Sequence, residues 1–300
     1  MDGLYNRRNM TDGNKTCIQY IRQEDPDYPD RLRVHRGMPK GIYAAGRLPA
    51  DDRPAVAVVG ARRSDSYGNE IARRFAGELA SRGVQIISGM AWGIDGMAHK
   101  GALEAGGDTF AVLGCGVDVC YPPGHRSLYE ELLAKGGVLS EQPPGMPPLA
   151  GHFPARNRII SGLSDLVLVV EAGEKSGSLI TADQALEQGK DVYAVPGRVG
   201  DALSRGCHRL IRQGAGLADS PRTILEALGL SWGQNREREK ILLAKEENIV
   251  YSWIRLQPVS LDELVKKTGM PSARVLRILV ELELKGCIRE IRKNDYIRTD

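Results

Sequence analysis

The sequence predicts an α/β fold, in which a doubly wound, mostly parallel sheet is followed by a smaller helical domain. Two observations support this prediction. From residue 54 onward, short and continuously apolar runs alternate with amphipathic stretches, and continuous apolarity is typical of strands that are covered on both faces. After residue 240 the pattern changes to closely spaced helices and a terminal hairpin.

Six apolar runs are the predicted strands of the sheet. They are AVAVVG (55–60), GVQIISG (83–89), DTFAVLG (108–114), GGVLSE (136–141), DLVLVVEA (165–172) and DVYAVPG (191–197). The predicted helices between them cover 66–82, 94–105, 154–163 and 178–189, and residues 219–229 are predicted to close the domain. Strands that alternate with helices in this way favour parallel pairing.

Composition changes along the chain predict its division into units. We expect a flexible tail (1–16), an N-terminal extension that packs on the core (17–53), the α/β domain (54–230), a linker (231–239) and a C-terminal domain (240–300). The last unit has the layout of a winged helix-turn-helix, with a turn at Gly269 and a second helix after Pro271. Basic residues lie on that helix and hairpin, but Glu281, Glu283 and Glu290 dilute them. Duplex DNA contact and docking of a protein partner therefore both remain open for this domain.

Bulk properties exclude several classes of protein. A net charge of +3 does not require a polyanionic partner, and 5% aromatic residues do not supply an extended stacking platform. The five cysteines form no CxxC pair, so neither a disulfide framework nor a zinc site is indicated. No apolar run is long enough to span a bilayer. We expect a cytoplasmic protein without a metal or a cofactor.

Four loops carry the candidate binding residues. The carboxyl ends of parallel strands and the N-termini of the following helices gather at one edge of a doubly wound sheet. At that edge, glycines, small donors and basic side chains predict a groove for a polyanion. The candidates are Arg62 and Arg63 in the first loop, Ser88 and Gly89 in the second, Arg156, Asn157 and Arg158 in the third, and Lys175, Ser176 and Gly177 in the fourth.

The third loop contains the least expected charges. With Pro154 at the first helical position, Arg156 and Arg158 lie near the positive end of the helix dipole, which disfavours cations. Helical periodicity points Arg156 inward over the rim and Arg158 outward. An inward arginine needs an anion, and both an internal carboxylate, Glu141 or Glu171, and a bound ligand satisfy that need.

Sequence motifs for catalysis are weak. The first loop is neither GxGxxG nor a P-loop, and no GxSxG segment occurs. Asp95 and His99 are one helical turn apart, and we favour a packed, hydrogen-bonded pair over a catalytic one. Tyr121 is expected to lie in a turn and to line the groove.

Several long motifs then occur in order between Tyr28 and Leu230. These include SGMAWGIDGMAHKGAL, GCGVDVCYPPGH, HFPARNRIISGLSD, VVEAGEKSGSLITADQALEQGKDVYAVPG and GCHRLIRQGA. Together they resemble the DNA-processing protein A (DprA/Smf) family, whose core is Rossmann-like. The C-terminal part resembles the winged-helix domain of many members. Ala61 stands where the family usually has serine.

The resemblance implies a protein that is not an enzyme but a recombination mediator that binds single-stranded DNA. Family members protect incoming single strands during natural transformation (competence) and load the recombinase RecA onto them as homodimers. The family's binding pocket corresponds here to Arg62, Arg156, Asn157 and Arg158, with Lys175 and Ser176 adjoining. A dimer surface is expected near the closing segment, at Leu210, Ile211, Ile224, Leu225 and Leu228.

Two alternatives belong to other classes. The core also resembles nucleotide phosphoribohydrolases, but aligning GSLIT with their glutamate-bearing loop puts Ile180 and Thr181 where the two glutamates would be. The second alternative is a transcription regulator that acts through the winged helix, with Arg274 and Arg277 on its recognition-like helix.

Overall fold

The computed structural model describes residues 17–230, 244–255 and 258–298. The predicted tail (1–16) and linker (231–239) lie outside the described residues.

A nine-stranded sheet forms the centre of the larger domain. Its strands are β1 (Ile18–Arg22), β2 (Gly41–Gly46), β3 (Ala55–Val59), β4 (Gln85–Ser88), β5 (Thr109–Leu113), β6 (Gly137–Ser140), β7 (Leu166–Val169), β8 (Asp191–Ala194) and β9 (Gly216–Leu217). Their order is β1-β2-β6-β5-β4-β3-β7-β8-β9. The strands β3 to β9 pair in parallel, while β1 and β2 add an antiparallel edge. This confirms the predicted α/β fold with a mostly parallel sheet; β1, β2 and β9 were not among the predicted strands.

Helices cover both faces of the sheet. They are α1 (Asp30–Arg33), α2 (Ser66–Ala80), α3 (Ile94–Glu104), α4 (Arg126–Lys135), α5 (His152–Gly162), α6 (Ser178–Glu187), α7 (Arg205–Arg212) and α8 (Pro221–Ala227). One core cluster contains side chains of α5, α6 and α7, and another contains side chains of α2, α3 and α8. Every residue of β3 and β7 is buried, as the continuous apolar runs predict.

The N-terminal extension is joined to this core by apolar side chains. Tyr28, Leu32 and Ile42 are buried in the cluster that also contains Ile159 of α5. The predicted dimer surface, by contrast, is wrong for three of its residues, because Leu210, Ile224 and Leu225 are buried inside the same domain.

Helix α5 begins at His152, two residues before the predicted start. Pro154 is thus the third helical residue and still lies in the first turn, where backbone N–H groups have no intrahelical acceptor. Arg156 accordingly lies in the second turn, and it is 5% exposed, as the inward orientation predicts.

The connections reverse direction at β3. The chain proceeds from β3 through β4 and β5 to β6 on one side, and β7, β8 and β9 follow on the other. The loops after β3 and β7 therefore diverge and leave a crevice at their carboxyl ends, which is where ligands bind in such sheets. Gly60 directly follows β3 there, and a Cβ atom at this position would lie 2.6 Å from Ile94 Cγ1. This close approach brings α3 against the first loop.

The C-terminal residues form a separate small core. The helices are α9 (Lys245–Trp253), α10 (Leu261–Thr268) and α11 (Ser272–Leu284), and the strands β10 (Val259–Ser260), β11 (Ile288–Arg292) and β12 (Asp295–Arg298) form an antiparallel sheet in the order β10-β12-β11. Leu264, Leu279 and Ile288 are buried between these elements. Gly269 ends α10 with φ +69°, as expected for the turn between the helices. The predicted winged helix is confirmed.

Candidate nucleic-acid interface

A cavity of about 800 Å³ lies at the crevice between the loops that follow β3 and β7. It is lined by Arg62 and Arg63 of the first loop, Asp95 of α3, Tyr121, Phe153, Arg156 and Asn157 of α5 and its approach, and Lys175, Ser176, Gly177 and Ser178 of the fourth loop, together with small and apolar residues. Seven of the ten residues predicted to bind an anion therefore meet in one cavity.

Three cations of this cavity are exposed. Within residues 17–230, 244–255 and 258–298, Arg62, Arg63 and Lys175 have no carboxylate partner within ion-pairing distance. The guanidinium carbon of Arg62 lies 5.2 Å from the ring centroid of Phe153, a cation–π contact that holds the side chain over the cavity. These charges are available to an anion from solvent.

Arg156 has a different environment, on the floor of the cavity. Its Nη1 donates to the carbonyl oxygens of Val112 and, at 3.0 Å, Gly89, and its Nε donates to Asn157 Oδ1 at 3.1 Å. Burial lowers the pKa of Arg156 to about 10, and Arg62 lowers it too, whereas the carboxylate of Asp95 raises it. In place of Glu141 or Glu171, the carboxylates predicted as internal partners, carbonyl groups and Asp95 face the guanidinium of Arg156.

The predicted hydrogen bond between Asp95 and His99 is wrong. Asp95 Oδ2 accepts from the amide of Gly89 at 3.2 Å, whereas His99 Nδ1 is 2.7 Å from Thr109 Oγ1. Burial raises the pKa of Asp95, although Arg156 opposes this effect, and burial lowers the pKa of His99 to about 3. Asp95 thus orders the second loop, and His99 packs as a neutral imidazole against β5.

Three predicted site residues do not line this cavity. Arg158, expected to face outward, is partly buried and forms a bidentate ion pair with Glu141 at 2.8 and 2.6 Å, which satisfies its charge internally. Ser88 is fully buried, and its hydroxyl donates to the carbonyl oxygen of Val58 at 2.6 Å. Gly89 reaches a smaller adjoining pocket, where a Cβ would lie 2.6 Å from Arg156 Nη2, so its lack of a side chain makes room for the arginine.

The fourth loop supplies small polar groups opposite the arginines. Ser176 Oγ and Ser178 Oγ are 2.8 Å apart, and Asn157 Nδ2 lies 3.5 Å from the carbonyl oxygen of Gly177. Gly177 precedes the first turn of α6 without a side-chain cap, and both it and Ser178 line the cavity. The positive end of this helix therefore adds to the field of Arg62 and Lys175.

Phe153 is a site residue that the sequence-based list missed. Its ring lies between Arg62 and Arg156, and its centroid is 5.5 Å from that of Tyr121, which lines the cavity as predicted. The two rings form a small aromatic wall next to the cations. Its position directly before Pro154 in the first turn of α5 was the available signal, because that turn faces the same rim.

Behind the cavity, the acidic side chain of Glu171 lies close to Asp65. Glu171 Oε2 accepts from the backbone amide of Asp65 at 3.3 Å and is only 5% exposed. Burial, together with the neighbouring charge of Asp65, raises the pKa of Glu171 to about 8.

The cations of the winged helix are largely neutralised. Arg274 makes a bidentate pair with Glu246, Arg277 pairs with Glu281, and Arg289 pairs with Glu70 of α2. The outward side of α11 exposes Leu276, Val280 and Leu284 instead. This face does not resemble a recognition helix that presents free arginines to base edges.

Neither a metal-binding cluster nor a membrane-spanning helix is found in the part of the chain that the structure describes. No group of three or more His, Cys, Asp or Glu side chains there could hold a metal ion. No helix among the same residues has the length and apolarity needed to span a membrane.

Comparison with known proteins identifies relatives over most of the chain. The family model of DNA recombination-mediator protein A matches residues 19–229, and that of the DprA winged helix domain matches residues 234–291. Protein Smf of Escherichia coli (strain K12) is 42% identical over 280 residues, which cover 90% of this chain and 75% of that protein. DNA processing protein DprA of Streptococcus pneumoniae is 45% identical over 201 residues, which cover 67% and 71%.

Two solved structures share the fold. The X-ray structure of DprA from S. pneumoniae superimposes with a TM-score of 0.67 and 42% identity, covering 70% of this chain and 74% of that one. DNA processing protein A from Helicobacter pylori, solved in work on its unique single-stranded DNA binding mode, gives a TM-score of 0.64 and 30% identity, covering 70% and 95%.

Proposed function

Because this chain belongs to the DNA recombination-mediator protein A family, we propose that it binds single-stranded DNA in the cavity between the β3 and β7 loops. Phosphates of the strand contact Arg62, Arg63 and Lys175, and the N-terminus of α6 adds its dipole. Arg156 supports the cavity floor and contributes positive potential. The H. pylori relative, described by its single-stranded DNA binding mode, supports this choice of ligand.

The observation that carries the proposal is the aromatic wall of Phe153 and Tyr121 beside cations that lack carboxylate partners among the described residues. Bases inside a duplex are stacked on their neighbours, whereas the bases of a single strand are free to stack on aromatic rings, and each such stack contributes about 1–3 kcal/mol. Cations alone would bind any polyanion. Their combination with two rings in one cavity favours a single strand over a duplex.

We propose further that the protein is not an enzyme. Asp95 is the carboxylate in the cavity lining, and it is buried and held by backbone amides of the second loop. Ile180 and Thr181 occupy the positions of the two glutamates of phosphoribohydrolases and contribute no acid or base. Incubation with nucleoside monophosphates should release no free base, and steady release would contradict this part of the proposal.

Family membership also supports a role as a cytoplasmic homodimer that protects incoming single strands and loads RecA onto them during natural transformation. We propose this role for the present chain. RecA filament assembly on DNA coated with single-strand binding protein should accelerate when this protein is added. An unchanged rate over a range of protein concentrations would remove the loading role and leave DNA binding untouched.

The central test is fluorescence anisotropy with single-stranded and duplex oligonucleotides of one sequence at several salt concentrations. We expect tighter binding of the single strand and a log affinity that falls with log salt by about 0.7 for each phosphate contacted. Salt-independent binding, or a preference for the duplex, would refute the proposal.

A further inference from the structure

Trp92 is a large aromatic side chain at the rim of the site, and it has no part in the contacts described above. It lies in the second loop, between β4 and α3, and 51% of its surface is exposed. Its indole lies edge-on to the imidazole of His125, with ring centroids 4.3 Å apart and planes inclined at 67°. A Cβ atom at Gly124 would lie 2.4 Å from Trp92 Cη2, so the ring rests on the backbone there. The indole is thus supported by protein, while half of the residue offers apolar aromatic surface to a ligand.

The support behind Trp92 is closely fixed. His125 is buried, its Nδ1 donates to the carbonyl oxygen of Met90 at 3.1 Å, and burial lowers its pKa, so the ring is uncharged near neutral pH. Met90 is fully buried with φ +55°, a left-handed conformation that residues other than glycine rarely adopt. Gly93 has φ +75°, and a Cβ atom there would lie 2.3 Å from the carbonyl oxygen of Ala61. The second loop is therefore held between the first loop and His125, which places Trp92 before any ligand binds and reduces the entropy lost on binding.

Trp92 continues the aromatic wall of Phe153 and Tyr121. The smaller pocket that adjoins the main cavity is lined by Trp92 together with Arg62, Tyr121 and Phe153, and these last three also line the main cavity. At about 40 Å³ this pocket has room for water molecules but not for a base. A base that reaches this place therefore lies on the exposed indole and not inside the pocket. A flexible strand that leaves the main cavity past Tyr121 meets Trp92 next.

We propose that Trp92 is a further base-stacking position, on which a base of the bound single strand lies beyond the rings of Phe153 and Tyr121. The ligand is a nucleobase of any identity, because every base has a π face and stacking on an aromatic ring tolerates changes of sequence. The contact adds no charge, so it contributes to the preference for a single strand and not to the binding of polyanions in general. This inference rests on the proposed function and extends the same binding path on the side of the second loop.

The first test is the fluorescence of Trp92 itself in the full chain. The sequence contains three tryptophans, Trp92, Trp232 and Trp253, so Trp232→Phe/Trp253→Phe leaves Trp92 as the one indole emitter. We expect saturating oligothymidylate to quench this emission, because a stacked base contacts the excited ring. An abasic strand of the same length, which keeps the phosphates but lacks the bases, should leave the emission unchanged. Unaltered emission with bound oligothymidylate overturns the proposal, and so does equal quenching by the abasic strand.

The second test is affinity, with Trp253→Ala as the matched control for Trp92→Ala. Trp253 is 42% exposed and is likewise supported by a neighbour, with Lys267 Nζ 5.2 Å from its ring centroid, but it lines neither the main cavity nor the adjoining pocket. Trp92→Ala should weaken oligothymidylate binding about tenfold, which is about 1.4 kcal/mol and within the range of one stacked base. The salt slope should stay unchanged, since no phosphate contact is removed. Trp92→Phe keeps a flat ring and should recover most of the affinity.

The outcomes separate this proposal from the proposed function. Equal affinity of Trp92→Ala and Trp253→Ala, or a shallower salt slope in Trp92→Ala, overturns the stacking position but leaves the main cavity intact. Failure of the parent to bind any single strand overturns the proposed function itself. Light scattering and thermal unfolding accompany each titration, and a change of oligomeric mass in Trp92→Ala would identify the indole as part of an interface between copies, which also overturns the proposal. If Trp92→Ala does not fold, the fluorescence test, which retains Trp92, decides alone.

Discussion

Replacing Arg62 by alanine should weaken single-stranded DNA binding without weakening the fold. The side chain is exposed and, among the described residues, lies over the ring of Phe153, with its guanidinium carbon 5.2 Å from the ring centroid. A charge-assisted bond to phosphate contributes about 1.5–3 kcal/mol, and solvent screening at an exposed site places the loss near 1–2 kcal/mol, or roughly 5- to 30-fold in affinity. One contact fewer should also reduce the magnitude of the salt slope by about 0.7.

The control for this substitution is Arg126→Ala. Arg126 on α4 is likewise exposed and lies over an aromatic ring, with its guanidinium carbon 6.0 Å from the Tyr129 centroid, but it pairs with Glu130 and does not line the cavity. Anisotropy titrations at four salt concentrations, with thermal unfolding of each variant, separate the two. If Arg62→Ala and Arg126→Ala change affinity and slope equally, the assignment of Arg62 to a phosphate is wrong.

Three further predictions concern the cavity and the layer behind it. Phe153→Ala should lower affinity for oligothymidylate by about 1–3 kcal/mol for each base stacked, with the salt slope kept; a changed slope would assign the loss to displaced charge. Arg156→Ala should lower the melting temperature, because it leaves the carbonyl groups of Gly89 and Val112 without their donor and removes a charge that favours ionised Asp95; an unchanged melting temperature would contradict this structural role. Glu171, with its pKa raised from 4.5 to about 8, binds a proton in the folded state that the unfolded state has lost. Its contribution to stability is complete below pH 4.5 and is lost as pH rises through 8, so Glu171→Gln should flatten the decline of unfolding free energy across that window.

The elements that the sequence predicted correctly share one property, which is a strong local pattern. The run AVAVVG and the amphipathic stretch 66–82 correspond to β3 and α2 within a few residues, because burial on both faces, or on one side, marks every position. Strand β1, IQYIR, has mixed burial and pairs antiparallel at the edge of the sheet, so no continuous apolar run reveals it. Strand β2, GIYAAG, is largely apolar, but it pairs antiparallel with β1 and β6 and precedes the alternation of strands and helices that predicts the sheet. Strand β9 has only two residues and depends on its neighbour β8.

The same reasoning explains the two arginines of α5. The predicted direction of the side chain is correct for Arg156, which points inward, and wrong for Arg158, which was expected to face outward. Periodicity gives the azimuth of Arg156 because apolar neighbours fix which side is buried. It cannot reveal that Glu141, at the end of another strand, reaches Arg158 and holds it away from solvent. Long-range pairing thus binds Arg158 to Glu141, while Arg156, two residues earlier, remains in the lining of the cavity. It also changes which residue tests the function: a loss of binding in Arg156→Ala combines a damaged floor with a missing charge, whereas Arg62 and Lys175, exposed and free of carboxylates in the described chain, report on the DNA contact alone.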